Sequence, residues 1–156
     1  MQGRIVLGAA AAALLAAGTA FAQGDGAPAH RTAAELRAAV AKTKDGLATS
    51  PIPTGAATVL MVRREKTGEV ELHTGQNDVF VAHDGHATVV VGERVTGNHE
   101  VSPGEWRGGT ISGGKRYAMA PGDVLWIPAG LPHQVIVPAS GGFDYLAMKY
   151  PSARKP

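Results

Sequence analysis

From residue 56 onward the chain breaks into short runs rich in β-branched residues, each closed off by Gly, Asn, Asp or Pro. The runs fall at 58–64, 70–73, 78–83, 87–91, 116–119, 124–127, 134–137 and 143–149. Connections this short can turn a hairpin but cannot hold the crossover helix that parallel strands require. About eight strands joined in this way close as an antiparallel sandwich or barrel. The interval 96–115, glycine-rich and carrying Pro103, reads as the one long loop. With 156 residues in all, the chain has length for one domain and not for two. Its 44% hydrophobic content supplies a buried core and excludes wholesale disorder. The absence of cysteine excludes disulfides, thiolate zinc sites, iron–sulfur clusters and thiol nucleophiles, so any metal must rest on histidine and carboxylate.

Residues 1–22 have the layout of a secretory signal peptide: Arg4 as the one charge, an apolar stretch from Ile5 to about Ala17, and small residues Ala20 and Ala22 at the end. The stretch is Ala-rich and interrupted by Gly8 and Gly18, which makes it a poor permanent anchor. The expectation is cleavage after Ala22, with no membrane segment left, and a mature chain 23–156 that is periplasmic or secreted. Residues 23–55 read as a flexible leader, a short helix and a linker, 56–150 as the β domain, and 151–156 as a tail. Thr32 and Glu35 match a capping box, Leu36 and Val40 follow at helical spacing, and Asp45-Gly46 supplies a stop. The spacing predicts a helix over 33–44 whose Ala-rich face lies against a sheet, then an extended surface linker over 49–55 with Pro51 and Pro53. The 15 Lys and Arg against 13 Asp and Glu leave a net charge of +2 and form no basic run, so nucleic acid is not an expected partner. Arg63 and Arg64 beside Glu65 and Lys66 read as a solvated face of mixed charge.

The most informative stretch is 121–134, PGDVLWIPAGLPHQ. Gly122 and Asp123 suit a tight turn, 124–127 a strand, Pro128 to Gly130 a second turn, and His133 opens the next strand. In type and spacing Gly122, Pro128, Gly130 and His133 match the second conserved motif of the cupin family, and Val137 replaces the usual Asn four residues after the histidine. The first cupin motif fits in part. Gly68 stands three rather than six positions before Glu71, Glu71-Leu72-His73 replaces His-x-His, Asp78 takes the Glu position, and Gly85 follows after six residues. The chain thus resembles small single-domain cupins over about 58–149. The resemblance implies an all-β fold, an antiparallel double-stranded β-helix (jelly-roll barrel) preceded by one short α-helix. It also implies pairing as a homodimer through outer strand faces.

The resemblance makes Glu71, His73, Asp78 and His133 the candidate metal ligands, and strand geometry supports them. Residues two apart share a face, so Glu71 and His73 point the same way, as do Asp78, Phe80 and Ala82 on the next strand. Two imidazoles and a carboxylate suit a divalent metal ion such as Fe, Mn, Zn or Ni with positions left open for a small-molecule ligand or substrate. Asp78 is one methylene shorter than Glu: where it falls short of a metal on His73 and His133, Glu71 is the ligating carboxylate, and where Glu71 ligates, Asp78 is the candidate general base, so these two are the catalytic candidates. The competing functions are a pocket that has lost its metal and binds a small molecule, and a structural dimerising module. Dioxygenation, isomerisation, decarboxylation and lyase chemistry all occur on this fold, so fold does not choose among them.

Other features carry less. His83 and His86 flank a hairpin turn, while His30 and His99 have no constellation around them. Residues 109–115 nearly spell a phosphate-binding loop, but Arg116 stands where Ser or Thr is required and no βαβ unit surrounds it. Glu105, Trp106 and Arg107 suit a lid over the barrel mouth, with Arg107 available for a substrate carboxylate. Tyr117, Trp126 and Tyr145 suit the core or a dimer face. Ser112 and Ser140 lack a nucleophile elbow, which argues against serine hydrolysis.

Overall fold

Thr32 caps the first element as the sequence requires. Its hydroxyl accepts from the Glu35 amide at 3.2 Å, and the Glu35 carboxylate accepts from the Thr32 amide at 2.7 Å, which caps helix α1 (Ala33–Ala39). The structure, a computed structural model, describes residues 28–52 and 57–153. The expected signal peptide and cleavage point, most of the leader and the second half of the expected linker lie outside the described residues.

Helix α1 is shorter than the expected 33–44, and the Asp45-Gly46 signal explains why. Both residues have positive φ, 55° and 80°, and close a two-residue hairpin in which Lys44 and Leu47 exchange backbone bonds of 3.0 and 3.1 Å. The pair therefore reverses the chain instead of stopping the helix. No residue of α1 is buried, so its Ala-rich face does not pack on a sheet; only Val40, just beyond it, is buried.

The expected linker is corrected too, because its first half belongs to strand β1 (Leu47–Ile52). Pro51 cannot donate to a ladder, and an edge strand is where a sheet tolerates it. Among the described residues β1 pairs only with β2 (Thr58–Arg64), at the margin of a five-stranded sheet. Next come β3 (Glu71–His73), β4 (Gln76–Gly85) and β5 (Ala87–Val91). The expected loop 96–115 instead holds most of four short strands, β6 (Arg94–Thr96), β7 (His99–Ser102), β8 (Glu105–Arg107) and β9 (Thr110–Ser112). Glycine turns make this possible. Gly104, at φ 78°, closes the β7–β8 hairpin, and at Gly109 a Cβ would sit 2.4 Å from the Thr96 carbonyl oxygen. The chain finishes with β10 (Lys115–Met119), β11 (Val124–Ile127), β12 (His133–Ile136) and β13 (Phe143–Pro151).

All pairings are antiparallel. One sheet runs β1-β2-β13-β4-β11, a second β10-β5-β12-β3-β8-β7, and β6 with β9 forms a separate ribbon. Val62, Phe80, Ile127 and Tyr145 from the first sheet meet Val89, Met119 and Val135 from the second in one buried cluster. Such side chains contribute about 1.5–3 kcal/mol each on burial, enough to hold a chain without cysteine. The result is the jelly-roll barrel preceded by one short helix. Among the described residues no helix is long and apolar enough to cross a membrane.

Candidate metal centre

The turn over Pro128 to Leu131 locks β12 onto β3. The Gly130 amide donates to the His73 carbonyl at 2.8 Å, the Ala129 amide donates to Asn77 Oδ1 at 3.0 Å, and His133 stands opposite Glu71 in the ladder. Gly130 adopts φ 87°, a conformation open to glycine at little cost. His73 is buried and Glu71, on the same face, half-buried; Asp78, Phe80 and Ala82 are buried together, as are His133, Val135 and Val137. Phe80 packs edge-on to the His133 ring, with centroids 5.9 Å apart.

Glu71, His73 and His133 each bring one ligand atom to a group whose members lie within 4.8 Å of one another. Asp78 Oδ2 is 3.2 Å from His73 Nε2 and 3.3 Å from His133 Nε2, so the shorter carboxylate does reach both rings. Glu71 Oε2 lies 3.7 Å from His73 Nε2. Donors around one ion at ordinary bond lengths stand about 3.0–3.5 Å apart; the two Asp78 separations fall in that range and the Glu71 separation just outside it.

The tautomers agree with that reading. His133 Nδ1 meets the Leu131 carbonyl at 3.2 Å and His73 Nδ1 meets Glu105 Oε2 at 2.6 Å. Both partners can only accept, so each Nδ1 carries a proton and each ring turns its Nε2 inward, the orientation found in ligating histidines. Among the described residues His133 Nε2 is buried without a hydrogen-bond partner, and Asp78 Oδ1 makes no hydrogen bond, its one close neighbour being the Lys149 ammonium at 3.2 Å. Buried polar atoms are rarely left so outside functional sites.

Charge is managed from behind. Arg64 Nη2 pairs with Glu71 Oε1 at 2.6 Å while its Nε donates to the Tyr145 hydroxyl at 3.0 Å. Arg107 Nη2 stands 3.5 Å from Glu71 and 3.4 Å from Glu105. Burial pushes the Glu71 carboxyl up, but Arg64 leads the groups that outweigh it and hold it below the usual range. Asp78 is likewise pushed up by burial and brought net down by contact with His73 and by Lys149. Burial holds His133 below its ordinary value against the pull of Asp78 and Glu71, which favours the neutral ring a metal needs. Burial, partly offset by Arg64, pushes the Tyr145 phenol up to about 12, so its hydroxyl keeps its proton.

Four participants depart from their sequence readings. Glu105 and Arg107 are not in a lid: β8 pairs with β3, which puts Glu105 opposite His73. Arg64 is not on a solvated face, since its side chain is only 12% exposed. Lys149, unmarked in the sequence, reaches Asp78 Oδ1 at 3.2 Å and His73 Nε2 at 2.5 Å. The period-two rule marks both cations, since Arg64 follows Leu60 and Val62, and Lys149 follows Tyr145 and Ala147, on inward faces. His30, His83, His86 and His99 are exposed. Tyr145 is core, Tyr117 packs against the core, and Trp126 is 56% exposed.

Beside the centre lies a cavity of about 540 Å³. Leu60, Phe80 and Tyr145 line it together with Glu71, Arg107 and Lys149, an apolar wall with a few convergent polar groups.

Residues 111–154 match the family of AraC-like ligand-binding domains. Comparison with curated proteins finds no match. Among solved structures, TT1209 from Thermus thermophilus superposes with a TM-score of 0.56 at 20% identity, over 74% of this chain and 93% of that one. KdgF from Halomonas sp. gives 0.52 at 12%, over 71% and 84%. A Cupin 2 conserved barrel domain protein from Salinispora arenicola CNS-205 gives 0.49 at 20%, over 75% and 84%. The fold is an all-β antiparallel jelly-roll barrel.

Proposed function

We propose that this chain is an exported, metal-dependent cupin that acts on a small organic molecule held in the cavity beside the centre, and that it works as a homodimer. The convergence of Glu71, His73 and His133, with Asp78 against both rings, carries the reading. In it, His73, His133, Glu71 and Asp78 would hold a divalent ion, which when bound would supply Lewis acidity toward a carbonyl or hydroxyl, or a site for oxygen. The protein's own groups do the rest. Glu105 and the Leu131 carbonyl orient the two rings. Asp78, 1% exposed, is a holding group. Glu71 lines the cavity and is kept ionised by Arg64, which suits it to hold the ion at the cavity's edge. Phe80 and Tyr145 give the cavity an apolar wall beside it.

Metal content of protein purified without chelator, compared with a His73→Ala/His133→Ala double variant, tests this reading. The wild type is expected to carry close to one equivalent of a transition metal and the variant almost none; equally low content in both would overturn it. A second reading, a pocket that binds a small molecule without metal or turnover, draws on the AraC-like match and on the ammonium of Lys149 within the centre. Retention of a small molecule by the double variant would favour it.

A further inference from the structure

Lys149 is the one group in the centre that a set of metal ligands does not call for. Its Nζ lies 2.5 Å from His73 Nε2 and 3.2 Å from Asp78 Oδ1, on a side chain only 17% exposed. His73 Nε2 and His133 Nε2 stand 3.2 and 3.3 Å from Asp78 Oδ2, three acceptors facing one another, and such a set repels unless a positive charge sits among them. The ion-pair network also balances as it stands. Glu71, Asp78 and Glu105 face Arg64, Arg107 and Lys149, three carboxylates to three cations. A divalent ion added to this set would leave a surplus of positive charge in a buried place, a costly state. The lone pair of His73 Nε2 cannot serve both Lys149 and a metal.

We propose that Lys149 is the resident cation of the centre. It holds His73 and Asp78 together in the metal-free protein, and it moves aside into the neighbouring cavity when a divalent ion is taken up. The cavity makes the movement feasible: Lys149 already lines it, and a four-carbon stem can carry the ammonium toward solvent by rotamer change alone. Lys149 thereby sets how tightly the centre binds metal and keeps the buried carboxylate paired before metal arrives. This inference rests on the metal-dependent reading above.

Zinc and manganese affinities of wild-type protein and Lys149→Met, measured by calorimetry after chelator treatment, test it. The variant is expected to bind about ten-fold tighter or more, because it has no paired ammonium to displace. Its metal-free thermal midpoint should fall below that of the wild type and recover on adding zinc. Equal or weaker affinity in the variant would overturn the inference while leaving the metal reading intact, whereas no binding in either protein would overturn the metal reading itself. Should Lys149→Met fail to fold, reductive methylation of the wild type read out by mass spectrometry decides the matter. Modification at Lys149 is expected to speed up on zinc loading, and an unchanged or slower rate would count against displacement.

Discussion

Arg63 and Arg64 are neighbours in β2, yet they serve two different networks on opposite faces of one sheet. On the outer face Arg63 pairs with Asp144 at 3.1 Å and with Glu65 at 3.1 Å, and Glu65 also accepts from Thr43 at 2.6 Å. On the inner face Arg64 pairs with Glu71, and the network runs on through His73, Asp78 and Lys149. Among the described residues the outer set contributes no buried atom without a partner, whereas the inner set contains His133 Nε2, and Asp78 Oδ1 there has the Lys149 ammonium as an ion-pair neighbour and no hydrogen bond. The difference separates a network that braces the sheet from one that keeps atoms free for a ligand. Completed hydrogen bonds stabilise, while a buried acceptor left open costs free energy and persists where function uses it.

Substitutions on the two faces should therefore move different observables. The largest effect is expected on the inner face: His133→Gln should weaken zinc binding by about 100-fold or more, as loss of a ligand does. Its metal-free thermal midpoint should stay close to that of the wild type or rise, because the orphaned ring nitrogen is gone. A large fall in midpoint with metal affinity unchanged would make the inner network structural as well. Next comes Glu105→Gln, which disturbs only the orientation of His73; a loss of about 10–100-fold in metal affinity is expected, read by competition with a chromogenic chelator. On the outer face Arg63→Met should cost about 1–2 kcal/mol in denaturant unfolding and leave metal affinity where it was. A loss of metal binding there would dissolve the distinction between the faces.

The smallest expected effect is on acid stability. His133 is held by burial below its ordinary 6.5, so the unfolded chain takes up that proton first as pH falls. Its contribution is complete above 6.5 and is lost as pH drops through the lower folded value. Glu71 and Asp78, held below 4.5 and 3.8, add a further loss in more acid solution. Thermal midpoints of the metal-free protein should thus be flat above neutrality and decline below it, and His133→Gln should flatten the first part of the decline. An undiminished early decline in that variant would assign it to another group.

Much of the barrel is legible in the chain, because alternation and turn residues are local signals. The runs expected at 58–64, 87–91 and 124–127 are the strands β2, β5 and β11 to the residue. The turn at Gly130 and the ring of His133 also follow from local spacing. What escapes a local reading is pairing. Pro51 suggests a linker until β2 is seen to cover one side of β1, and the glycine-rich 96–115 suggests a loop until β8 is seen beside β3. Glu105 joins the centre through that second pairing alone. Arg64 and Lys149 are a different case, since alternation places both on inward faces, but a charge near a strand end reads as solvated unless its partners across the barrel are known.

Anomalous scattering from crystals soaked in zinc tests the central claim most directly. A single strong peak is expected among His73 Nε2, His133 Nε2 and the Glu71 and Asp78 carboxylates. Zinc found only at the exposed His83, His86 or His99, or no peak between the two buried rings, would contradict it.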